Sequence, residues 1–388
     1  MIKTEAWVLH EGPRNGNSGK VEAGELKREE YSFPDLKEHE VLVEPLYGCW
    51  EGNMSHAVER SPIDICRQRG EEKVVIGNAG VVRVLQIGES VNNVKEGDCC
   101  LVFCNGEWDE LGYAKTIYAY DSPGTVGLLA KRTKLHEKQL IHIPANTRHS
   151  LQQWAAFSLR YITAWANWKV AYGMWKLQMT GEDCPPPHVW GWGGGVSLAE
   201  VTLAKLAGCQ AAMISAGDKR LDLIQQMGIM PIDRRNFGGL DFEEAKYKSD
   251  KSFRGAYQES EKVFLDTVNE HTSGSGVSIF IDFIGLPVFR ATLKALSRPG
   301  IITTAGWKEG MNLSTLRAIE CMNWHTHIHT HYARYHDGLE AVEFAEQNGW
   351  APALDGEDYG WNDIPRLAQE HIDGTISTYF PIYQVNPV

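Results

Sequence analysis

The run 188-HVWGWGGGVSLAEVTLAKLAG-208 decides the fold. A short apolar segment leads into the turn Gly191-Trp-Gly-Gly-Gly-Val-Ser197, and an amphipathic helical pattern follows. Glycines make such a turn tight and let backbone N–H groups approach a diphosphate, while the helix N-terminus adds partial positive charge there. Gly191, Gly193, Gly194, Gly195 and Val196 are therefore the candidate dinucleotide-gripping residues; a purely structural glycine turn is the alternative. Ser197 stands where this pattern has its last glycine, which predicts slightly wider helix–strand packing.

The next apolar run, 210-QAAMIS-215, is followed by a second helical pattern through Gly228. Strand, helix, strand, helix in this order predicts a parallel sheet. A carboxylate at the end of the second strand favours NAD by bonding a ribose 2′-hydroxyl. Here Ser215 occupies that end, with Lys219 and Arg220 close behind. A hydroxyl with two cations suits a 2′-phosphate, so the cofactor predicted is NADPH. The alternative for Lys219 and Arg220 is the solvated start of a helix, and Asp218 beside them works against a phosphate.

Outward from this unit the texture changes. Residues 40–124 are short β-like runs broken by glycine, as in 80-GVVRVLQIG-88 and 97-GDCCLVFCNG-106, which predicts a small all-β barrel or sandwich with a hairpin corner at Gly97-Asp98. From Leu151, apolar residues recur at helical spacing for about seven turns, as one helix or as one broken once. "CPPP" at Cys184 to Pro187 reads as a stiff connector. Residues 240–262 are charged and read as a solvated excursion or helical insertion. Buried strands then resume at 276-GVSIFIDFIG-285 and 300-GIITTAG-306, and 374-GTISTYFPIYQ-384 reads as a final strand.

The composition fits this outline. With 388 residues, 43% hydrophobic and 23% charged, the chain is long enough for two cored domains. A net charge of -12 argues against a nucleic-acid or membrane-surface binder. No apolar stretch is long enough to span a membrane, and residues 1–12 lack the apolar core of a signal peptide, so a cytoplasmic location is expected. The eight cysteines are scattered, as in a reduced chain. Cys99, Cys100 and Cys104 cluster, but two are adjacent and a fourth is missing, so no structural zinc is expected.

The β-rich front, the nucleotide-binding middle and the return to mixed structure, with "VKEGDCCLV", "WGWGGG", "MISAGDKR", "IDRRNFGGLDF" and "HTHYARY", resemble the medium-chain dehydrogenase/reductase superfamily. Within it the chain is most similar to the crotonyl-CoA carboxylase/reductase group of enoyl-thioester reductases. The resemblance implies an α/β protein: a GroES-like β-rich catalytic domain formed by residues 1–157 and 331–388, and a Rossmann domain, a doubly wound parallel sheet, at 158–330. It also implies a substrate cleft at the domain junction and a homodimer paired through the Rossmann sheet. "RYITAW" matches the segment whose threonine touches the nicotinamide, giving Thr163, and Gly285 and Gly306 match strand ends that pass the ring. The zinc-dependent members need histidine and glutamate where this chain has Asn78 and Ala79, although Cys49 is kept. A carboxamide is a poor zinc ligand, so no catalytic metal is expected.

In the carboxylating members an asparagine, an aromatic–glutamate pair and a histidine hold CO2 beside the nicotinamide. Tyr120 and Asp121 in "AYDSPG" match the pair, with the acid one carbon shorter, and His331 in "THYA" matches the histidine. No asparagine registers clearly, which favours plain reduction. Asp121 reads equally as a turn carboxylate. His325, His327, His329 and His331 alternate, which on a strand places them on one face; a metal row and a strand edge with one pocket-facing histidine are the two readings. Glu51 and His56, in the loop after Cys49, are candidate proton carriers, with solvated loop residues the alternative. Trp50, Trp165 and Trp192 read as packing residues, Trp192 also as a lid over the cofactor.

The expectation is thus a zinc-independent NADPH-dependent reductase of an α,β-unsaturated acyl thioester carried on CoA or a carrier protein. The alternatives are a zinc-free carbonyl or imine reductase, a reductive carboxylase, and an NADPH-binding protein without turnover.

Overall fold

The computed structural model describes residues 1–13, 22–179, 184–305 and 312–388. They form two compact units, Met1–Ile162 with Ala333–Val388, and Thr163–Tyr332.

The first unit is built from antiparallel sheets. A curled sheet runs Leu140–His142, Cys99–Val102, Gly80–Ile87, Glu40–Cys49, Ile382–Gln384, with Thr133–His136 also paired to Glu40–Cys49. Alternating β-branched residues supply its core: Val41, Val43, Val82, Val84 and Val102 are buried together with Leu128, Leu135 and Leu140. The C-terminal strand pairs with the strand ending at Cys49, so both chain ends complete one sheet. Gly97-Asp98 is not a tight hairpin corner: Gly97 has φ of +89°, but its N–H and the Asp98 carbonyl bond Val84, and the strands Gly80–Ile87 and Cys99–Val102 are joined by the long connection 88–98. The expected final strand is shorter than its sequence pattern, only Ile382–Gln384.

The second unit holds a six-stranded parallel sheet in the order Met230–Asp233, Gln210–Ser215, His188–Trp192, Val277–Asp282, Leu296–Thr303, His327–His329. Counted along the chain this is 3-2-1-4-5-6, the doubly wound order, with its crevice where strands 1 and 4 meet. Buried on both faces, the strands read as nearly continuous apolar runs such as "VSIFID".

Residues 240–262 are helical, in Glu244–Ser249 and Lys251–Thr272. They are more than a solvated excursion, because Leu240, Tyr257, Phe264 and Val268 are buried against the sheet. Asp250 caps the longer helix, accepting from the N–H groups of Ser252 and Phe253 at 2.8 and 3.0 Å. The helix Leu151–Gln178 runs unbroken for 28 residues.

Candidate active site

The glycine turn stands at the crevice of the parallel sheet. The strand ends at Trp192, the chain turns through Gly193 with φ of +138°, Gly194 caps the helix, and Gly195–Leu206 follows. A Cβ at Gly193 would lie 2.4 Å from the Ser197 hydroxyl, whereas one at Gly194 would meet nothing within 4 Å. Gly193 is thus required by the turn itself, and Gly194 faces open space, where a diphosphate approaches a helix N-terminus. Ser197 is buried and its hydroxyl donates to the Trp192 carbonyl at 3.0 Å, tying helix to strand. Trp192 does not cover the cofactor. It is 1% exposed and packs on Phe264 and Phe280, with ring centroids 5.1 and 5.2 Å away.

On the neighbouring strand, Asp282 accepts from the N–H groups of Ile284 and Gly285, at 3.1 and 3.0 Å, and from the Thr292 hydroxyl at 2.7 Å. This fixes Gly285, at φ of +97°, as the cap of the helix Leu286–Ala295. Gly306 lies outside the described residues.

Ser215 closes its strand and is 7% exposed. Lys219 and Arg220 fall in the first turn of the helix Asp218–Gln226, beside the open turn at Gly217. Arg235, which the sequence did not single out, bridges Asp218 and Asp233 at 2.7 Å each. It pairs the Asp218 carboxylate, which stands beside Lys219 and Arg220 in the same helical turn.

Thr163 and His331 are brought together by Asn167, one turn after Thr163 on the same helix. The Asn167 carboxamide donates to the Thr163 and His331 carbonyls, both at 3.0 Å, and accepts from the His331 N–H at 3.0 Å. The four alternating histidines do not share one strand. Only His327–His329 is strand, and His325 sits at φ of +51°, which breaks the alternation before it starts. Burial pushes the His329 imidazole pKa down, so it stays neutral.

The remaining candidates belong to the unit formed by the two chain ends. His56 is not a loop residue, since it lies in the last turn of the helix Gly52–Glu59, whereas Glu51 stands in extended backbone just before that helix and makes no side-chain cap bond to it. Glu51 is buried and paired with Arg160 at 2.9 Å, so it is no freely solvated proton carrier. Arg160 also donates from Nη2 to the Trp50 carbonyl at 2.7 Å and from Nη1 to the Tyr379 carbonyl. Asp121 is a turn carboxylate, accepting from the Ile117 N–H at 2.6 Å, and Tyr120 beside it is buried, which pushes its hydroxyl up to about 12. Trp50 is fully buried and Trp165 half-buried.

The zinc donor set is poor in this unit. Cys49 is fully buried and burial pushes its thiol pKa up, away from the thiolate a metal needs. Asn78 offers a carboxamide, and Glu51 already carries the Arg160 guanidinium. Cys99 and Cys100, adjacent on a strand, face opposite ways, one half-exposed and one buried. Among the described residues no three His, Cys, Asp or Glu side chains converge as a metal site would require. No described helix is long and apolar enough to cross a membrane.

This architecture, an antiparallel unit interrupted by a doubly wound parallel sheet, is a fold shared with solved structures of low sequence identity. Among solved structures the chain is similar to crotonyl-CoA carboxylase/reductase AntE in complex with NADP, at 19% identity and a TM-score of 0.78, covering 100% of this chain and 95% of that one. It is also similar to the 2-octenoyl-CoA carboxylase reductase CinF in complex with NADP and 2-octenoyl-CoA, at 17% identity and a TM-score of 0.78, covering 99% and 88%. A putative alcohol dehydrogenase from Sinorhizobium meliloti 1021 follows at 18% identity and a TM-score of 0.71, covering 98% and 99%. No protein-family model matches the chain, and none of the curated proteins does.

Proposed function

We propose that this chain is a zinc-independent, NADPH-dependent reductase of an α,β-unsaturated acyl thioester on CoA or a carrier protein. The observation that carries the reading is its full-length structural likeness to enoyl-CoA carboxylase/reductases in complex with NADP. The open face at Gly194 supports it, since a diphosphate fits where a Cβ would meet nothing.

The chain's own residues divide the work. Gly193, Gly194 and Gly195 present backbone N–H groups and the helix N-terminus to the diphosphate. Ser215, Lys219 and Arg220 hold the 2′-phosphate, with Arg235 removing the competing charge of Asp218. Thr163 and the backbone at Gly285 orient the nicotinamide, and His331 stabilises the oxygen of the enolate formed from substrate. When bound, reduced NADPH supplies the hydride received by the substrate β-carbon.

Zinc independence rests on the Cys49, Glu51 and Arg160 cluster, where a fixed guanidinium already supplies the positive charge. A conjugated thioester spreads the incoming negative charge and needs no Lewis acid, unlike a plain ketone. Plain reduction is favoured over carboxylation because Asp121 is engaged in its own turn. A cytoplasmic homodimer is part of this reading. The strand His327–His329 ends the parallel sheet with Leu316, Met322, Trp324, Ile328 and Tyr332 exposed around it, as a sheet edge paired with a second copy requires.

The test is NADPH consumption against a panel of enoyl-CoAs, aldehydes and imines, with and without bicarbonate. Oxidation with enoyl-CoAs and a product two hydrogens heavier is expected. Consumption with aldehydes alone refutes the reading, and a product heavier by a carboxylate converts it to a reductive carboxylase.

A further inference from the structure

Asn167, which no sequence motif marks, bonds His331, and Thr303 stands behind it. Asn167 is fully buried on the helix Leu151–Gln178. Besides its bonds to Thr163 and His331, its Oδ1 accepts from the Thr303 hydroxyl at 3.2 Å. Two donors and two acceptor sites are all that a carboxamide has, and all are used. The carboxamide treats His331 as a neighbouring strand would, taking its N–H and its carbonyl together. Strand pairing itself has stopped two residues earlier, at His329. A flipped carboxamide would set donor against donor at the His331 N–H and acceptor against acceptor at its carbonyl.

Thr303 is also fully buried, at the end of its strand, and reaches toward Glu200 on the helix Gly195–Leu206. Neither carboxyl oxygen of Glu200 has a geometric hydrogen-bond partner among the described residues, and the side chain is 0% exposed. Burial raises the pKa of this carboxyl well above its usual range.

We propose that Asn167 is a positioning residue: its carboxamide locks the His331 backbone to Thr163, and the Thr303 hydroxyl fixes the orientation of that carboxamide. The proposal rests on the reading above, in which Thr163 and His331 stand at the nicotinamide. It deepens that reading by naming what holds the two at a fixed spacing.

The test uses full-length protein carrying N167L, T303V or T303S. Hydrogen–deuterium exchange of the peptide spanning residues 329–333, with no ligand present, reads the clamp. Exchange is expected to accelerate by about tenfold in N167L and T303V and to stay at the wild-type rate in T303S, which keeps the hydroxyl. Turnover of crotonyl-CoA with NADPH reads the consequence, with kcat expected to fall by about tenfold in N167L while KM for NADPH stays within about threefold. If wild-type protein turns over no enoyl thioester, the functional reading fails while the exchange experiment still decides the clamp. Unchanged exchange in N167L or T303V overturns the proposal, and so does a T303S variant that behaves as T303V. Should N167L not fold, the two Thr303 variants carry both readouts.

Discussion

Arg160 and Glu51 form an ion pair at 2.9 Å with side chains only 8% and 6% exposed. The Arg160 guanidinium also lies close to the buried Cys49 thiol, so fixed positive charge stands beside that cysteine. Removing one partner of such a pair leaves the other charge buried and unpaired, which costs about 3–5 kcal/mol. R160M is therefore expected to lose about that much stability in urea unfolding. The double variant E51Q/R160M is expected to recover most of the loss, because no charge is left stranded. Equal losses in both would show that packing, not charge, holds this cluster.

The two glycines of the turn separate stability from binding. G193A places a Cβ against the Ser197 hydroxyl at a φ of +138°, so it is expected to lower the melting temperature. G194A meets nothing in the protein and should melt as wild type, yet weaken NADPH binding by about tenfold or more by blocking the backbone approach. Fluorescence titration with NADPH checks both. A G194A variant with wild-type affinity would place the diphosphate elsewhere.

For the 2′-phosphate, the double variant K219A/R220A is expected to weaken NADPH by about tenfold or more while leaving NADH unchanged. R235A acts indirectly, by freeing Asp218 from its 2.7 Å partner, and should weaken NADPH in the same sense at low salt. Parallel titrations with the two nucleotides decide this, since a loss shared by both would mean damage to the turn at Gly217.

Glu200 gives a pH signature. Its folded pKa is raised well above the usual 4.5 by burial, so its contribution to stability is present at low pH and is lost as pH rises from about 4.5 through the raised value. Across that window wild-type stability should fall by about 1.4 kcal/mol per pH unit relative to E200Q, which has no proton to lose. Urea midpoints for the two proteins, measured stepwise from pH 5 upward, trace the difference. A constant difference would mean that Glu200 does not titrate alone.

The parallel sheet and its glycine turn were legible because they depend on neighbours in the chain. A φ of +138° at Gly193 and a helix opening at Gly195 are local demands, written as local residues. The polar network was not legible in the same way. Asn167, Thr303 and His331 lie on three separate elements, and their only trace in sequence is an amide inside the apolar helix "ITAWANWKV". Glu200 leaves a similar trace in "SLAEVTLA". The reading of His56 as a loop residue failed because "GNMSHAVE" is too short and too weakly patterned to announce a helix. The histidine row failed because alternation places side chains on one face only while the backbone stays extended, and at His325 it does not.

The most direct measurement is the stoichiometry of NADPH oxidation with crotonyl-CoA and 2-octenoyl-CoA, using purified protein stripped of metal by chelation. One NADPH consumed per saturated acyl-CoA formed, at a rate that added zinc does not raise, is the result expected. No acyl-CoA reduction, or activity that appears only when zinc is returned, would contradict the account.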